Sequence, residues 1–426
     1  MSGDLVTWSS SDTSIATVSD NGIVAGVAGG IALVKAAAGL VEANVTVTVD
    51  EGWASVNTGH LHTCGLNNAG ESYCWGYSKH GALGIGASAI ATRPHKVGGG
   101  HIWSSVEAGI DYSCGVTTSG KAYCWGSGLN GRLGNGLSPG NANQSLPTLV
   151  AGDYSWGLVS SDLGRHSCGV ATSGEAYCWG ENIYGQIGDG TTEASHGQRD
   201  VPVLVSGGLS WSSVDVSRNH TCGVTTADEA YCWGRNSVGE IGNGGTSTHN
   251  CIKNGGSDEC VVVPMPVSRG LTWASVSGGG THTCGITTVG EGYCWGYNAS
   301  GQLGDGTTKY RDEPELVNGG LTWASILGGY LFSCGVTTVG EGYCWGQNDR
   351  GQLGDGTTTD HLVPTLVSGG HVWRQIDPGG DYHTCGVTTT GEAYCWGEHG
   401  PEITDGLLGN GTTTDSSIPL KVTRPW

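Results

Sequence analysis

The sequence is poor in charged residues, methionine and phenylalanine. Only 13% of its 426 residues are charged, and 2 Met and 1 Phe stand against 16 Trp, 15 Tyr and 79 Gly. No window carries apolar residues at the 3.6-residue spacing of an amphipathic helix, so we expect few helices. A chain rich in Gly, Trp, Tyr, Val and Thr is typical of an all-β protein with many tight turns.

Clusters of basic residues are also missing. Lys and Arg number 18 against 38 Asp and Glu, which gives a formal net charge of −20. Nucleic acids are bound by clustered basic side chains that displace counterions, so we expect no nucleic-acid partner and no attraction to an anionic membrane. An acidic surface favours solubility and selects basic partners.

Long apolar runs are absent as well. Without 18 consecutive apolar residues we expect no membrane insertion, and the start "MSGDLVTWSS" lacks the features of a signal peptide. The 16 cysteines nevertheless indicate an oxidising compartment. Either Met1 is an artificial start or the chain comes from a longer exported precursor, and we expect an extracellular or cell-surface location.

The sequence does contain one repeat, which occurs seven times at intervals of about 50 residues. Each copy has a leading Trp, a Cys-Gly segment, a turn, a Tyr-Cys-Trp-Gly segment, a version of "GQLGDGTT", and a P-x-x-V segment. The leading tryptophans are Trp53, Trp103, Trp156, Trp211, Trp273, Trp323 and Trp373. About four short strands per repeat predict a seven-bladed β-propeller over residues 51–426.

The end of the chain suggests how the ring closes. Units two to seven each follow a P-x-x-V segment, whereas unit one follows "VTVTVDEG", and the chain ends with "IPLKVTRPW". We predict that this C-terminal strand, Pro419 to Val422, completes the first blade and closes the ring. Closure would remove a free sheet edge.

Residues 1–50 form a different unit without cysteine. The segments "WSSSDTSIATV", "GIVAGVAGG" and "VTVTV" resemble the bacterial group 2 immunoglobulin-like domain. The resemblance implies a partial β-sandwich, because only the second half of such a domain is present. Either the chain is truncated or another chain supplies the missing strands.

The cysteines predict disulfides. A turn at Ser173–Gly174 places Cys168 opposite Cys178, within the reach of a cross-strand disulfide. Zinc knuckles are absent, although free buried thiols and metal ligation remain alternatives. The predicted disulfide pairs are Cys64 with Cys74, Cys114 with Cys124, Cys168 with Cys178, Cys222 with Cys232, Cys251 with Cys260, Cys284 with Cys294, Cys334 with Cys344, and Cys385 with Cys395.

Catalytic signatures are not evident, so we predict no enzyme, no metal and no cofactor. The histidines two residues before the first cysteines (His62, His166, His220, His282 and His383) are replaced by Tyr112 and Phe332 in two units. A metal ring would not accept Phe, so we expect these side chains to pack between blades. The string "GLSPG" lies in a loop, where a nucleophile elbow cannot form.

Variation between units is concentrated in the segment after "DGTT", which suggests a binding rim on a constant scaffold. Neutral drift of surface loops explains the same variation. The candidate binding residues in these loops are Asn141, His196, Arg199, His249, Lys253, Asp258, Tyr310, Arg311, His399 and Glu402.

The repeated string "GEGYCWGQNDRGQLGDGTT" is similar to the regulator of chromosome condensation repeat. The resemblance implies a seven-bladed propeller. The cysteines and the immunoglobulin-like unit of residues 1–50 indicate the bacterial secreted branch of this family. We expect a secreted or cell-surface binding module for a protein or a cell-surface glycan, with self-association as a further possibility. The alternatives are a structural subunit that accepts strands from a neighbour, a β-lactamase-inhibitor-like protein, and a polysaccharide-active enzyme.

Overall fold

The computed structural model describes residues 6–26, 29–39, 41–49, 52–137, 142–192, 198–245, 247, 249–253, 256–400 and 406–425. Within these ranges the chain is almost entirely β-structure. Two 3₁₀ turns, Leu129–Gly131 and Ser268–Gly270, are the helical segments of the described chain. None of the described helices has the length and apolarity needed to cross a bilayer.

The N-terminal unit consists of a three-stranded antiparallel sheet and a separate two-stranded hairpin. The sheet takes its strands in the order Thr7–Ser10, Gly30–Ala38, Val41–Val49. The hairpin pairs Ala16–Val18 with Val24–Gly26. Ala32 and Val34 are buried on one side of the sheet while Ile31 and Leu33 are exposed on the other, as the period of two in a strand requires.

The rest of the chain forms seven antiparallel sheets, here called blades 1 to 7. The first strands are Trp53–Thr58, Trp103–Ala108, Trp156–Ser160, Trp211–Val216, Trp273–Gly278, Trp323–Gly328 and Trp373–Pro378. The second strands are His62–Asn67, Tyr112–Thr117, His166–Ala171, His220–Thr225, His282–Thr287, Phe332–Thr337 and His383–Thr388. The third strands are Ser72–Tyr77, Ala122–Gly126, Ala176–Gly180, Ala230–Arg235, Gly292–Gly296, Gly342–Gly346 and Ala393–Gly397. The fourth strands are Ile90–Lys96, Gln144–Leu149, Arg199–Leu204, Gly256–Pro266, Arg311–Leu316, His361–Leu366 and Ser416–Lys421.

The blades are arranged in a closed ring. Each blade contacts the next, and the seventh contacts the first. The first strands of neighbouring blades touch one another, which places them around the axis, while the fourth strands carry most of the exposed side chains. The second strands are buried along their whole length. These features are the expected seven-bladed propeller.

The position of the C-terminal strand differs from the sequence-based prediction. Ser416–Lys421 pairs with Ala393–Gly397 in blade 7 rather than entering blade 1. Blade 1 is complete without it, because Ile90–Lys96 supplies its fourth strand. The prediction was wrong because each P-x-x-V segment returns onto the Tyr-Cys-Trp strand that precedes it in the chain. The ring is therefore closed by contacts between complete blades, including the backbone hydrogen bond from the Trp53 N–H to the Gly391 carbonyl at 2.8 Å.

The eight cysteine pairs form eight disulfides in the structure. In blade 3, Cys168 and Cys178 are direct partners in the register of the second and third strands. The seven hairpin pairs have Cα separations of 4.0–4.1 Å. The described chain has no free cysteine.

Blade 4 contains an additional strand, His249–Lys253, which lies outside its fourth strand. The disulfide between Cys251 and Cys260 joins these two strands, with the Cα atoms 6.0 Å apart. Both cysteines are buried against Tyr184 of blade 3. The insertion is therefore anchored on a neighbouring blade.

Each boundary between blades is held by the same hydrogen bonds. In blade 4 the Trp233 indole N–H donates to the Gln186 carbonyl of blade 3 at 2.9 Å, and the Thr221 hydroxyl donates to the same carbonyl at 2.8 Å. The Trp75 indole likewise donates to the Leu407 carbonyl at 3.0 Å, so the indole bond also spans the boundary between blades 7 and 1. These repeated bonds explain why the Cys-Trp phrase is so constant.

A glycine follows the Leu or Ile in each version of the "GQLGDGTT" segment, and it lets the loop approach the Trp indole of the next blade closely. Gly188 has φ +74°, and a Cβ atom there would lie 2.7 Å from the Trp233 indole nitrogen. A side chain would meet both a left-handed backbone and a steric clash. The high glycine content therefore reflects close packing at the blade boundaries as well as turns.

Candidate functional site: the loop face and its axial mouth

Strand order determines which loops lie together. In a four-stranded antiparallel sheet, the connections between strands 1 and 2 and between strands 3 and 4 emerge at the same end. The loops that vary between repeats therefore surround the short axial turns at one end of the ring. We call this end the loop face, and the end formed by the turns between strands 2 and 3 the hairpin face.

Below the loop face, a ring of side chains lines the propeller axis. They share one position, four residues after each leading Trp: Asn57, Glu107, Ser160, Asp215, Ser277, Leu327 and Asp377. Five of them accept a hydrogen bond from a backbone N–H of the next blade. The Thr58 N–H, for example, donates to Asp377 at 2.8 Å across the boundary that closes the ring.

The carboxylates of this ring hold protons readily. Burial raises the pKa of Asp215 to about 6 and, with the nearby charge of Asp215, the pKa of Asp377 to about 7. Burial and neighbouring carboxylates also raise the pKa values of Glu107 and Asp162 well above their usual range. No group of three or more His, Cys, Asp and Glu in the described ranges has the arrangement of a metal site. The ring acts as a set of inter-blade hydrogen bonds.

Above this ring, the axial turns surround a recess that we call the mouth. It encloses about 130 Å³. Its lining comes from six blades and consists of His60, Ile110, Leu163, Arg165, Arg218, Tyr330 and Asp381. The buried guanidinium of Arg132 donates to the Ile110 carbonyl at 2.9 Å and so fixes one side of the mouth.

Arginine and tyrosine are paired repeatedly at this end. Arg218 lies over the Tyr330 ring, 4.8 Å from its centroid, and donates a hydrogen bond to the Tyr330 hydroxyl. Arg350 lies 4.9 Å over Tyr382 and contacts the Glu398 carboxylate. Stacking on an aromatic ring holds a long cationic side chain in a defined position. The loop face therefore presents oriented guanidinium groups on a chain of net charge −20, and that of Arg218 lies in the mouth.

The loop candidates from the sequence do not line the mouth. Arg199 donates to Asp189 at 2.7 Å and Arg311 donates to Asp305 at 2.7 Å, so both guanidiniums close their own "DG" turns. His399 is buried, and its Nδ1 accepts the Gly406 N–H at 2.9 Å. These contacts stabilise the scaffold of the loop face.

Other candidates lie toward the outside of the loop face. Tyr310 is 50% exposed and stacks against Tyr297 with the centroids 4.7 Å apart. Asp258 lies 3.5 Å from Arg235, and the exposed His249 belongs to the stapled strand. Candidates outside the described residues, or with a side chain that is not described, are Asn141, His196, Glu402 and Lys253.

Sequence reasoning missed the mouth residues, although a signal for them existed. These residues stand two positions before the second strand of their blade, or next to that position. The residue found there differs between otherwise similar repeats: it is His60, Ile110, Arg218, Tyr330 or Asp381. Such variation inside a constant phrase marks positions that packing does not fix.

Family comparisons agree with this architecture. The sequence model of the regulator of chromosome condensation (RCC1) repeat matches residues 173–224, 228–286, 290–336 and 340–387. A second model of that repeat matches residues 103–132 and 211–240, and the two together cover more than half of the chain. The bacterial Ig-like domain (group 2) model matches residues 2–49.

Curated relatives share the repeat at moderate identity. The human E3 ubiquitin-protein ligase HERC2 is 31% identical over 296 residues, which cover 62% of this chain and 5% of HERC2. The ultraviolet-B receptor UVR8 of Arabidopsis thaliana is 29% identical over 262 residues, covering 62% of this chain and 45% of UVR8. The chain thus spans less than half of the length of either relative.

Solved structures show the same fold. Human WBSCR16 superposes with a TM-score of 0.68 at 19% identity, covering 79% of this chain and 87% of the other. Yeast RCC1 (Prp20), solved with Kap60 bound, gives a TM-score of 0.64 at 20% identity, covering 77% and 78%. At these identities the likeness concerns the propeller fold.

Proposed function

Because the chain belongs to the family of RCC1-repeat propellers, we propose that it is a protein-binding module whose partner docks on the loop face. The observation that carries this proposal is the mouth, where the stacked Arg218–Tyr330 pair stands at the centre of a ring of variable loops, with the stacked Arg350–Tyr382 pair at the same end of the ring. The solved structure of Kap60 bound to yeast RCC1 shows a protein of this fold in a complex with another protein.

The composition of the mouth suits a protein interface. Binding energy in interfaces is concentrated in Tyr, Trp and Arg near the centre, surrounded by contacts that exclude water. Here the arginines are already oriented by aromatic rings, so less side-chain entropy is lost on binding. The longer loops after each third strand would form the rim and select the partner.

The hairpin face is a weaker candidate. Its turns repeat nearly the same residues in every blade, such as "TTVGEG" in both blade 5 and blade 6. A surface repeated around a ring offers little to distinguish one partner from another. Its exposed Val289 and Val339 serve as controls for the loop face.

We place the protein in an extracellular or cell-surface setting. Eight disulfides in one chain persist in an oxidising compartment, whereas cytosolic thiols are kept reduced. The immunoglobulin-like unit would then serve as a spacer or as an attachment to further domains. We assign binding rather than catalysis, because the axial carboxylates accept hydrogen bonds from backbone groups.

Affinity capture with face-specific variants tests the docking surface. The bait proteins are the wild type, Arg218→Glu with Arg350→Glu on the loop face, and Val289→Glu with Val339→Glu on the hairpin face. We expect a partner from the source organism's extracellular fraction that the loop-face variant loses and the hairpin-face variant keeps. Identification by mass spectrometry and a titration with the purified partner complete the test.

The proposal would be wrong if the hairpin-face variant lost the partner while the loop-face variant kept it. Thermal unfolding of all three baits is the control. A lost partner counts only where the melting temperature of the variant matches that of the wild type.

A glycan is the second candidate ligand, favoured by the Tyr297–Tyr310 pair at the edge of the loop face, in which the Tyr310 ring is exposed. Tyrosine presents an apolar ring and a polar hydroxyl, a combination that suits contact with a sugar. We expect Tyr310→Ala to weaken binding on a glycan array if this pair is the site. Val339→Ala is the matched control, and an equal loss with it would remove the assignment.

A further inference from the structure

We propose that the mouth is a carboxylate-binding site, which receives the side chain of an Asp or Glu that the protein partner projects onto the propeller axis. The proposal rests on the proposed function above and names the chemistry of its central contact. It assigns the carboxylate to Arg218, with Arg165 as the second cation.

Arg218 has an unused capacity for ion pairing. Its guanidinium donates to the Tyr330 hydroxyl, and among the described residues no carboxylate lies within 4.0 Å of it. The neighbouring arginines differ, because Arg235 lies 3.4 Å from Glu240 and 3.5 Å from Asp258. Of the two arginines that line the mouth in the described chain, Arg218 is therefore the one without a carboxylate within 4.0 Å.

The surroundings of Arg218 favour an incoming negative charge. Burial and the positive charges of Arg165 and Arg235 lower the pKa of Arg218. Arg165 itself has only a long contact with Glu181, at 3.8 Å. A carboxylate placed between Arg165 and Arg218 would relieve the repulsion between the guanidiniums and form charge-assisted hydrogen bonds.

The opposite side of the mouth limits the ligand to one charge. Asp381 lies there, 3.7 Å from His60, and its charge acts on Arg218 across the recess. A phosphate dianion would meet this negative potential with twice the charge of a carboxylate. The recess of about 130 Å³ also suits a side chain rather than a nucleotide.

A pair of short peptides tests the proposal directly. The probes are N-acetyl-Gly-Glu-Gly-amide and N-acetyl-Gly-Gln-Gly-amide, titrated by ligand-observed NMR at fixed ionic strength with the wild-type protein. We expect the Glu peptide to bind at least about tenfold more tightly than the Gln peptide, because a hydrogen bond to a charged group is stronger than one between neutral groups. Inorganic phosphate is titrated in parallel and should bind more weakly than the Glu peptide.

Two arginine substitutions locate the site. Arg218→Gln should weaken the Glu peptide about tenfold or more and leave the Gln peptide unchanged. The matched control is Arg269→Gln on the hairpin face, which removes the same charge from a partly exposed arginine paired with Glu313 and Glu315. If Arg218→Gln unfolds the protein, Arg218→Lys replaces it and should weaken binding through the loss of the planar fork.

The outcomes separate this inference from the proposed function. Equal binding of the two peptides, tighter binding of phosphate, or an equal effect of Arg269→Gln would overturn the carboxylate assignment. Capture of a partner through the loop face can succeed independently of the peptide result. Peptide binding without capture through that face would contradict the proposed function while leaving the carboxylate site intact.

Discussion

The histidines between the blades show how a single residue position combines packing and protonation. The Ser333 hydroxyl donates its proton to the Gln302 carbonyl at 2.9 Å, so it must accept a hydrogen bond from His282 Nε2 at 2.8 Å. His282 therefore carries a proton on Nε2, and its buried Nδ1 has no hydrogen-bond partner among the described residues, as expected for a neutral ring. Burial lowers the pKa of His282 to about 3, in agreement with this arrangement.

This position predicts a defined pH dependence. The pKa of His282 is about 3 in the folded protein and about 6.5 in an unfolded chain, so its contribution to stability is complete above pH 6.5 and is lost as the pH falls toward 3. Phe fits the equivalent position in blade 6 as Phe332. We expect the unfolding free energy of His282→Phe to fall by about 1.5 kcal/mol less than that of the wild type between pH 6.5 and pH 5, as measured by denaturant titrations.

An exposed histidine provides the control for this experiment. His95→Gln should follow the wild-type pH profile, because His95 is exposed on a fourth strand. The axial Asp215 and Asp377 act with the opposite sign, since their raised pKa values favour the folded state as the pH falls. They are present in both proteins and cancel in the difference. Parallel pH profiles of wild type and His282→Phe would show that the histidine is charged in the fold.

At this scale the sequence predicted the histidine column well and the axial ring poorly. The replacement of His by Phe332 was enough to argue for packing. The axial position carries Asn57, Ser160, Asp215 and Leu327 in different blades, so no single chemistry repeats along the chain. Its common role, a hydrogen bond to the next blade, depends on a neighbour about 50 residues away and is visible only in the ring.

At the scale of elements, neighbouring blades are fitted to each other by size. Where the third strand begins with Gly292 or Gly342, the first strand of the next blade carries Ile326 or Ile376. The other blades begin that strand with Ala or Ser and face Val at the equivalent position. A Cβ atom on Gly292 would lie 2.4 Å from the Ile326 Cδ1 atom. The larger side chain thus occupies the space left by the glycine.

A double-mutant cycle tests this fit. Gly292→Ala alone should cost about 1–3 kcal/mol by overpacking, and Ile326→Val alone about 0.5–1.5 kcal/mol by leaving a void. The double variant recreates the Ala and Val pair of other boundaries, so it should be more stable than Gly292→Ala, with a coupling of at least about 1 kcal/mol. Additive effects in denaturant titrations would contradict the fit. Gly292→Ala with Ile376→Val is the unpaired control.

The strand that completes each blade was assigned to the wrong neighbour from the sequence. A P-x-x-V segment lies between two Trp-containing phrases, and spacing alone does not tell which of them it joins. In the structure, the Cys395 strand takes Leu420 as its partner, so the segment belongs to the unit that it ends. The strands themselves could thus be located from the sequence. Which strands pair could not, because the pairing depends on the path that the chain takes between them.

At the scale of the whole molecule, regular repetition predicted the ring, and departures from repetition form the proposed binding site. The mouth joins His60, Arg165, Arg218, Tyr330 and Asp381 from five separate blades, more than 300 residues apart at the extremes. These residues stand at or beside the same position of their repeats, and the ring brings them together in space. The predicted binding loops lie around this centre, and several of their charged side chains stabilise turns.

Hydrogen–deuterium exchange of the protein with its captured partner tests the central claim, docking on the loop face, most directly. We predict protection in the axial turns at residues 161–165, 217–219 and 329–331 and in the loops that surround them. The hairpin-face turns, such as residues 288–291 and 338–341, should exchange as they do in the free protein. Protection confined to the hairpin-face turns or to the N-terminal unit, with unchanged exchange in the axial turns, would contradict the account.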